Sequence, residues 1–178
     1  MTDTDTAKSR LALIVMGVSG SGKTTIGALL AGLLDLDFVD GDDLHPPSNV
    51  EKMHAGHPLT DADRWPWLDT VGSTLGDAGA HPRGIVIACS ALRRVYRDRI
   101  RAKAGSALRF VFLDIETTEV ERRMAVRLNH FMPASLVASQ FATLERPVDE
   151  ADVVTVSDRG GGPADAARSA AAMLAGVT

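Results

Sequence analysis

Cysteine occurs once in 178 residues, at Cys89, so no disulfide can close within the chain and no cluster of thiolates is available to hold a metal. A reducing, cytoplasmic setting is the expectation. Basic residues are not in excess either. The net charge of −4 argues against a nucleic-acid partner, because phosphate-backbone binding shows as a basic domain or stripe. Any anion site must then be built locally. No uncharged apolar run approaches the roughly 18 residues that a membrane-spanning helix needs, so no membrane partner is expected. Residues 1–9 are polar and acidic and match neither a secretory signal nor an Arg-rich transit peptide; they read as a frayed tail. Internal repeats and long low-complexity tracts are also missing.

What the chain does have is 45% hydrophobic residues over a length suited to one core, so a single domain over 1–178 is expected. Leu11-Ala-Leu-Ile-Val-Met16 is a short continuous apolar run ending at a glycine, as in a strand buried on both faces of a parallel sheet. Similar runs recur at 37–40, 84–89, 109–113 and 152–156. Segments of helical character lie between and after them, at 23–34, 65–78, 92–102, 118–128, 133–144 and 163–174. Alternating strand and helix predicts an α/β fold, a five-stranded parallel sheet with helices on both faces. The stretch 45–63 is polar, carries three prolines and lacks a strand period, so it reads as a partly helical binding insertion.

Gly17-Val18-Ser19-Gly20-Ser21-Gly22-Lys23-Thr24 matches G-x-x-x-x-G-K-[ST] directly after the first strand and at the start of a helix. Glycines let successive amides curl toward one anion, and the helix adds the positive end of its dipole. Binding of ATP through this P-loop is the firmest chemical expectation. Lys23 should reach the β- and γ-phosphates, and the Thr24 hydroxyl should ligate Mg²⁺. Thr25 completes the nucleotide-contacting run, with a side chain expected to turn away from the metal and pack.

The second strand ends in Asp40-Gly-Asp42-Asp43. Ligands of open parallel sheets sit beyond the carboxyl ends of the strands, so these carboxylates should face the γ-phosphate. One is expected to steady the Mg²⁺ shell through water, and the other to take the proton of an attacking hydroxyl. Asp40 suits the first role and Asp42 the second, while Asp43 is expected only to cap a helix. The third strand ends in Ala88-Cys89-Ser90 with no acid, which strengthens the assignment of Asp40.

Asp40-Gly-Asp-Asp-Leu-His-Pro-Pro-Ser-Asn-Val-Glu-Lys-Met53 is followed by Gly56-His-Pro-Leu-Thr-Asp-Ala-Asp-Arg-Trp-Pro-Trp-Leu68. Further on come Ala88-Cys-Ser-Ala-Leu-Arg-Arg94, Tyr96-Arg-Asp98, Asn129-His-Phe-Met-Pro133 and Ser139-Gln-Phe-Ala-Thr-Leu-Glu145. In this order the motifs resemble the bacterial gluconokinase family, from Leu11 to about Val156. The resemblance implies the fold of nucleoside monophosphate and shikimate kinases, a homodimer, and phosphorylation of D-gluconate by ATP. Gluconate is a polyhydroxylated carboxylate, so its site needs a fixed cation and several hydrogen-bonding groups. Within the acceptor segment 43–68, Arg64 is the first choice to clamp the carboxylate through its planar fork and His45 is placed to share the site with Asp42. Ser90 and Arg94 are the further choices, with Arg93 and Arg97 behind them as basic residues on a solvated helix face. Trp65 and Trp67 are expected to pack the segment onto the core, and His54, His57 and His81 to lie at the surface.

Similar kinases carry R-x-x-x-R after the fourth strand. By that resemblance Arg123 stacks on adenine and Arg127 approaches the transferring phosphoryl group, making Lys23, Asp42 and Arg127 the catalytic set. His130 then opens the substrate side of a lid over 123–140 that excludes water. Two other readings use the same scaffold: a kinase for another small hydroxy acid such as shikimate, or an ATP-binding regulatory module.

Overall fold

In the computed structural model, which describes residues 10–77, 79–105, 108–126, 134–157 and 160–176, the five apolar runs become five parallel strands. They are β1 (Leu11–Met16), β2 (Asp37–Asp40), β3 (Gly84–Ala88), β4 (Leu108–Asp114) and β5 (Val153–Ser157), in the order β2-β3-β1-β4-β5. Parallel register pairs Val15 with Ala88, Asp40 with Ala88 and Met16 with Phe112, so the carboxyl ends of β1 to β4 share one edge.

The alternation along β1 divides the core. Ala12, Ile14 and Met16 face Trp67, Leu68, Val71 and Leu75 of α3 (Asp61–Gly76) and Ile100 of α4 (Arg94–Ala104). Leu13 and Val15 face Ile26 and Leu30 of α1 (Lys23–Leu34) and Ala167 and Ala170 of α7 (Pro163–Ala175). A third cluster, Val18, Leu92, Ile115, Val120 and Val137, lies over that edge and joins the P-loop to α5 (Thr117–Val126) and α6 (Ala134–Thr143).

Strand boundaries fall within one residue of expectation, whereas the insertion departs further. A 3₁₀ turn over Gly41–Leu44 follows β2 directly, and α2 (Pro47–His54) begins with proline at its first position, where no amide partner is needed. The carboxylate that caps the turn is Asp40, which accepts from the Asp42 amide at 3.1 Å, not Asp43. Helix α3 begins at Asp61, four residues ahead of expectation. Thr60 and Asp63 form a reciprocal capping box there, and this local gain outweighs Pro66 inside the second turn. His81 is not a free surface group, since its Nδ1 lies 2.7 Å from Asp37. Among the described residues no helix is long and apolar enough to cross a membrane.

Candidate active site

The P-loop leaves β1 through Gly17, whose φ of 152° and close surroundings exclude a side chain: a Cβ there would stand 2.9 Å from Ser21 Oγ and 3.1 Å from the Leu113 carbonyl. Gly20 and Gly22 also have positive φ, so three glycines turn the chain tightly ahead of α1. The Ser21 hydroxyl is buried without a hydrogen-bond partner among the described residues. Lys23 curls back over the loop and donates to the Val18 carbonyl at 3.0 Å. Burial lowers the Lys23 pKa, against the pull of Asp42, Cys89 and Asp40, which stand near enough to favour the cation.

At the first turn of α1, Thr24 Oγ1 donates to Asp40 Oδ2 at 2.8 Å. Asp40 therefore spends one oxygen on the turn after β2 and the other on α1. The same turn carries Asp42 at the exposed rim of the cleft. Surrounding protein mass and the neighbouring Asp40 charge push the Asp42 carboxyl above its usual range, with Lys23 opposing. Gly41 lies between the two acids because a Cβ there would come 2.4 Å from the Ala88 carbonyl, so β3 packs directly on the turn. Lys23, Thr24, Asp40 and Asp42 are thus brought together at the edge where the strands end.

On the other side of the P-loop is an open cavity of ≈1130 Å³ lined by Gly20, Gly22, Thr25, Arg123, Gly161 and Asp165 among others. Thr25 is exposed to this cavity rather than packed. Arg123 donates to the Ser21 carbonyl at 3.3 Å and to Glu119 at 2.8 Å, so the expected base-side arginine borders the loop. Hydrogen bonds from Arg122 and Arg123 hold the Glu119 carboxyl down at about 2. Arg127 and His130 lie outside the described residues, as does the lid segment 127–133.

Beyond Asp42, the His45 ring stacks on Trp67 with centroids 4.1 Å apart and planes at 15°. Trp67 itself is buried and donates to the Gly41 carbonyl at 2.7 Å, which ties α3 to the acidic turn. Burial lowers the His45 pKa; Asp42 pulls it up and Arg64 pushes it down, so all three groups share one electrostatic neighbourhood. Arg64 donates to the Leu59 carbonyl at 2.8 Å and lies over the Tyr96 ring. The acids beside it in sequence are engaged elsewhere, Asp61 with Arg93 and Tyr96, Asp63 with Lys52 and Thr60. Among the described residues Arg64 makes no salt bridge, although its charge helps to lower the Asp61 carboxyl.

Ser90 meets the P-loop through its backbone, its carbonyl accepting from Gly17 at 3.3 Å. Arg94 is an exposed first residue of α4 whose guanidinium lies 3.9 Å from Asp98 on its own helix; none of its described contacts joins it to His45 or Arg64. Arg97 is wholly buried, contrary to its expected solvated place. It pairs with Glu150 and donates to the Ala91 and Leu92 carbonyls at 3.0 and 3.1 Å, holding the loop that follows Ser90. Burial raises the Glu150 carboxyl, yet its bonds to Arg97 and Arg101 bring it below the ordinary value.

Three residues of the site carried no assigned role in the sequence. Gln140 of α6 accepts from the Ser19 amide of the P-loop at 2.8 Å. Glu145, just past the same helix, accepts from the Arg94 amide and pairs with Arg93, while its own amide donates to Leu92. Both belong to the Ser139–Glu145 motif, which signalled a constraint without naming its chemistry. Asn49, 3% exposed, is the third.

A P-loop that opens α1, acids at the end of the next strand and a sheet of this order define a P-loop kinase. The comparisons agree. Residues 13–149 match the family model described as an AAA domain. The chain is 50% identical over 145 residues to the gluconokinase of Gluconobacter oxydans (strain 621H), covering 82% of this chain and 81% of that protein. It is 46% identical over 144 residues to the thermosensitive gluconokinase of Escherichia coli (strain K12), covering 80% and 76%. Superposition on the crystal structure of a gluconokinase from Sinorhizobium meliloti 1021 gives a TM-score of 0.85 at 44% identity, covering 94% of this chain and 93% of that one. Shikimate kinase from Aquifex aeolicus shares the fold, with a TM-score of 0.57 at 15% identity. The chain belongs to the gluconokinase family.

Proposed function

We propose that the chain transfers the γ-phosphoryl group of ATP to the primary hydroxyl of D-gluconate, releasing ADP and 6-phosphogluconate. The observation that supports this reading is that the Asp42 carboxyl lies in one electrostatic neighbourhood with Lys23 and Asp40, beside the P-loop, and with His45, which is in turn near Arg64. The orphaned Ser21 hydroxyl and the glycine cradle fit a phosphate chain. Family membership favours gluconate over shikimate.

The Thr24 hydroxyl and the Asp40 carboxylate, 2.8 Å apart, are hard oxygen donors suited to Mg²⁺. No group of three or more His, Cys, Asp or Glu gathers among the described residues, which suits an ion that arrives with phosphate and keeps its waters. When bound, Mg²⁺ supplies charge neutralisation on the phosphate oxygens. Lys23 leaves the Val18 carbonyl for the β- and γ-phosphates. Asp42 accepts a hydrogen bond from the acceptor hydroxyl and takes its proton as the bond to phosphorus forms; its raised pKa brings it nearer to a useful base. Arg64 holds the gluconate carboxylate, and Arg127 and His130 act from the lid over 123–140. Residues 43–68 are the acceptor-binding part of one kinase domain. A cytoplasmic homodimer completes the reading.

The test is an ADP-release assay coupled to a panel of sugar acids, with shikimate included. One ADP per gluconate consumed is the expected result. Preference for shikimate would reassign the acceptor, and ADP release indifferent to every acid would indicate a regulatory ATPase.

A further inference from the structure

The Asp63 carbonyl lies 2.8 Å from one terminal atom of the Asn49 side chain. A carbonyl can only accept, so that atom is the amide nitrogen. The same nitrogen stands 3.2 Å from His45 Nδ1. Its second hydrogen therefore points to Nδ1, which must carry a lone pair. The ring proton of a neutral imidazole then sits on Nε2, the nitrogen for which no partner is found among the described residues.

We propose that Asn49 is a positioning residue that fixes His45 as the Nε2–H tautomer, so that the ring offers the acceptor substrate a donor and not a lone pair. The inference rests on the gluconokinase reading of the acceptor side and deepens it. The hydroxyl that gives its proton to Asp42 keeps lone pairs, and a neutral N–H is suited to one of them; a carboxylate oxygen would be served as well. Stacking on Trp67 fixes the plane of the ring, and the contact with Asn49 fixes which edge carries Nδ1. A protonated ring would place an Nδ1–H against the Asn49 amide, two donors facing each other. The charged groups that bear on the ring are Asp42 from the 3₁₀ turn and Arg64 from α3, while α2 presents the neutral Asn49. Asn49 is nearly inaccessible and bonds the Asp63 carbonyl at the start of α3, so its own orientation is set from both sides.

The experiment is ¹⁵N NMR of histidine-labelled full-length protein at pH 7, with the His45 signals identified by their loss in His45→Gln. Expected for the wild type is a neutral ring with bare Nδ1 and protonated Nε2. Asn49→Asp replaces the donor by a carboxylate that draws the proton to Nδ1, and should raise the gluconate KM roughly tenfold, about one hydrogen bond, while the ATP KM stays within about twofold. A wild-type ring protonated on Nδ1 overturns the proposal whether or not the variant folds. So does an Asn49→Asp protein in which the tautomer is unchanged and both KM values rise together, the mark of a mere brace. The spectrum needs no turnover. Absence of gluconate-dependent ADP release by the wild type would instead strike the functional reading.

Discussion

Thr24 and Asp40 meet at 2.8 Å although the strands that lead to them are not neighbours, since β3 runs between β1 and β2. The turn after β2 therefore reaches across the end of β3 to meet the first turn of α1, and Gly41 makes room for that crossing against the Ala88 carbonyl. The positions of Asp40 and Asp42 are set by this one crossing.

Asp40→Asn and Asp42→Asn should consequently fail in different ways. Asp42→Asn is expected to lower kcat by roughly 10²–10⁴-fold, the usual range for a general base, with nucleotide affinity kept. Asp40→Asn should raise the Mg²⁺ requirement, and excess metal should restore part of the rate. Measuring kcat against Mg²⁺ for both variants, with nucleotide affinity by calorimetry, separates them. Rescue of Asp42→Asn by metal and not of Asp40→Asn would exchange the two roles.

Lys23→Ala should lose more than roughly 10²-fold in turnover, as expected when a charged donor to the transferring group is removed. Its circular dichroism should match the wild type, because the one side-chain hydrogen bond of Lys23 among the described residues goes to the Val18 carbonyl of its own loop. Near-normal turnover by the folded variant would defeat the phosphate assignment.

Arg64→Ala is expected to raise the gluconate KM by at least roughly tenfold while moving the ATP KM little, since a charge-assisted bidentate contact with the substrate is lost. Arg64→Lys should rescue it only in part. Steady-state kinetics with each substrate varied provides the check, and Arg94→Ala, changed on the exposed start of α4, should have the smaller effect. An unchanged gluconate KM in Arg64→Ala with a raised one in Arg94→Ala would move the clamp.

The strands and the place of the P-loop were legible because their signals are local. A continuous apolar run, a glycine loop and an acid two residues from another acid carry their chemistry within a few positions. Arg97 was misread because helix periodicity says which residues share a face and nothing about Glu150, which meets it from 53 positions away. The start of α3 was placed late because Pro66 is a strong breaker, and the capping box ahead of it is a pattern of acceptors that looked like loop polarity. His81 and Asn49 were hidden for the same reason as Arg97: their partners come from other elements. Asn49 stood in a motif that marked it without revealing that its amide bridges His45 and α3.

Asp63 gives the stability of the segment 43–68 a pH dependence of known sign. Hydrogen bonds from Lys52 and from the Thr60 amide and hydroxyl lower its carboxyl from 3.8 to about 2. The folded state therefore prefers the ionised form, and the stabilisation is full above about pH 4 and lost as pH falls toward about 2. Asp63→Asn should melt below the wild type at neutral pH, with the gap closing through that window. Thermal unfolding followed by circular dichroism from pH 7 to 2 tests this, and a gap independent of pH would remove the charge from the explanation.

Arg97→Leu should destabilise the protein by roughly 3–5 kcal/mol, because it strands the buried Glu150 carboxylate with a reduced set of partners. The double variant Arg97→Leu with Glu150→Leu should recover part of that loss. Urea denaturation of the three proteins provides the comparison, and a near-neutral single variant would show that Arg101 alone satisfies Glu150.

Helix α6 touches the P-loop through Gln140, and Glu145, just past its end, holds the start of α4 and the loop before it. Two fastenings at the carboxyl end of one helix work as a gauge: they set the separation between the P-loop and the start of α4. A residue inserted between Gln140 and Glu145 would rotate one fastening by about 100° relative to the other. The P-loop and the start of α4 would then no longer be held at one fixed separation.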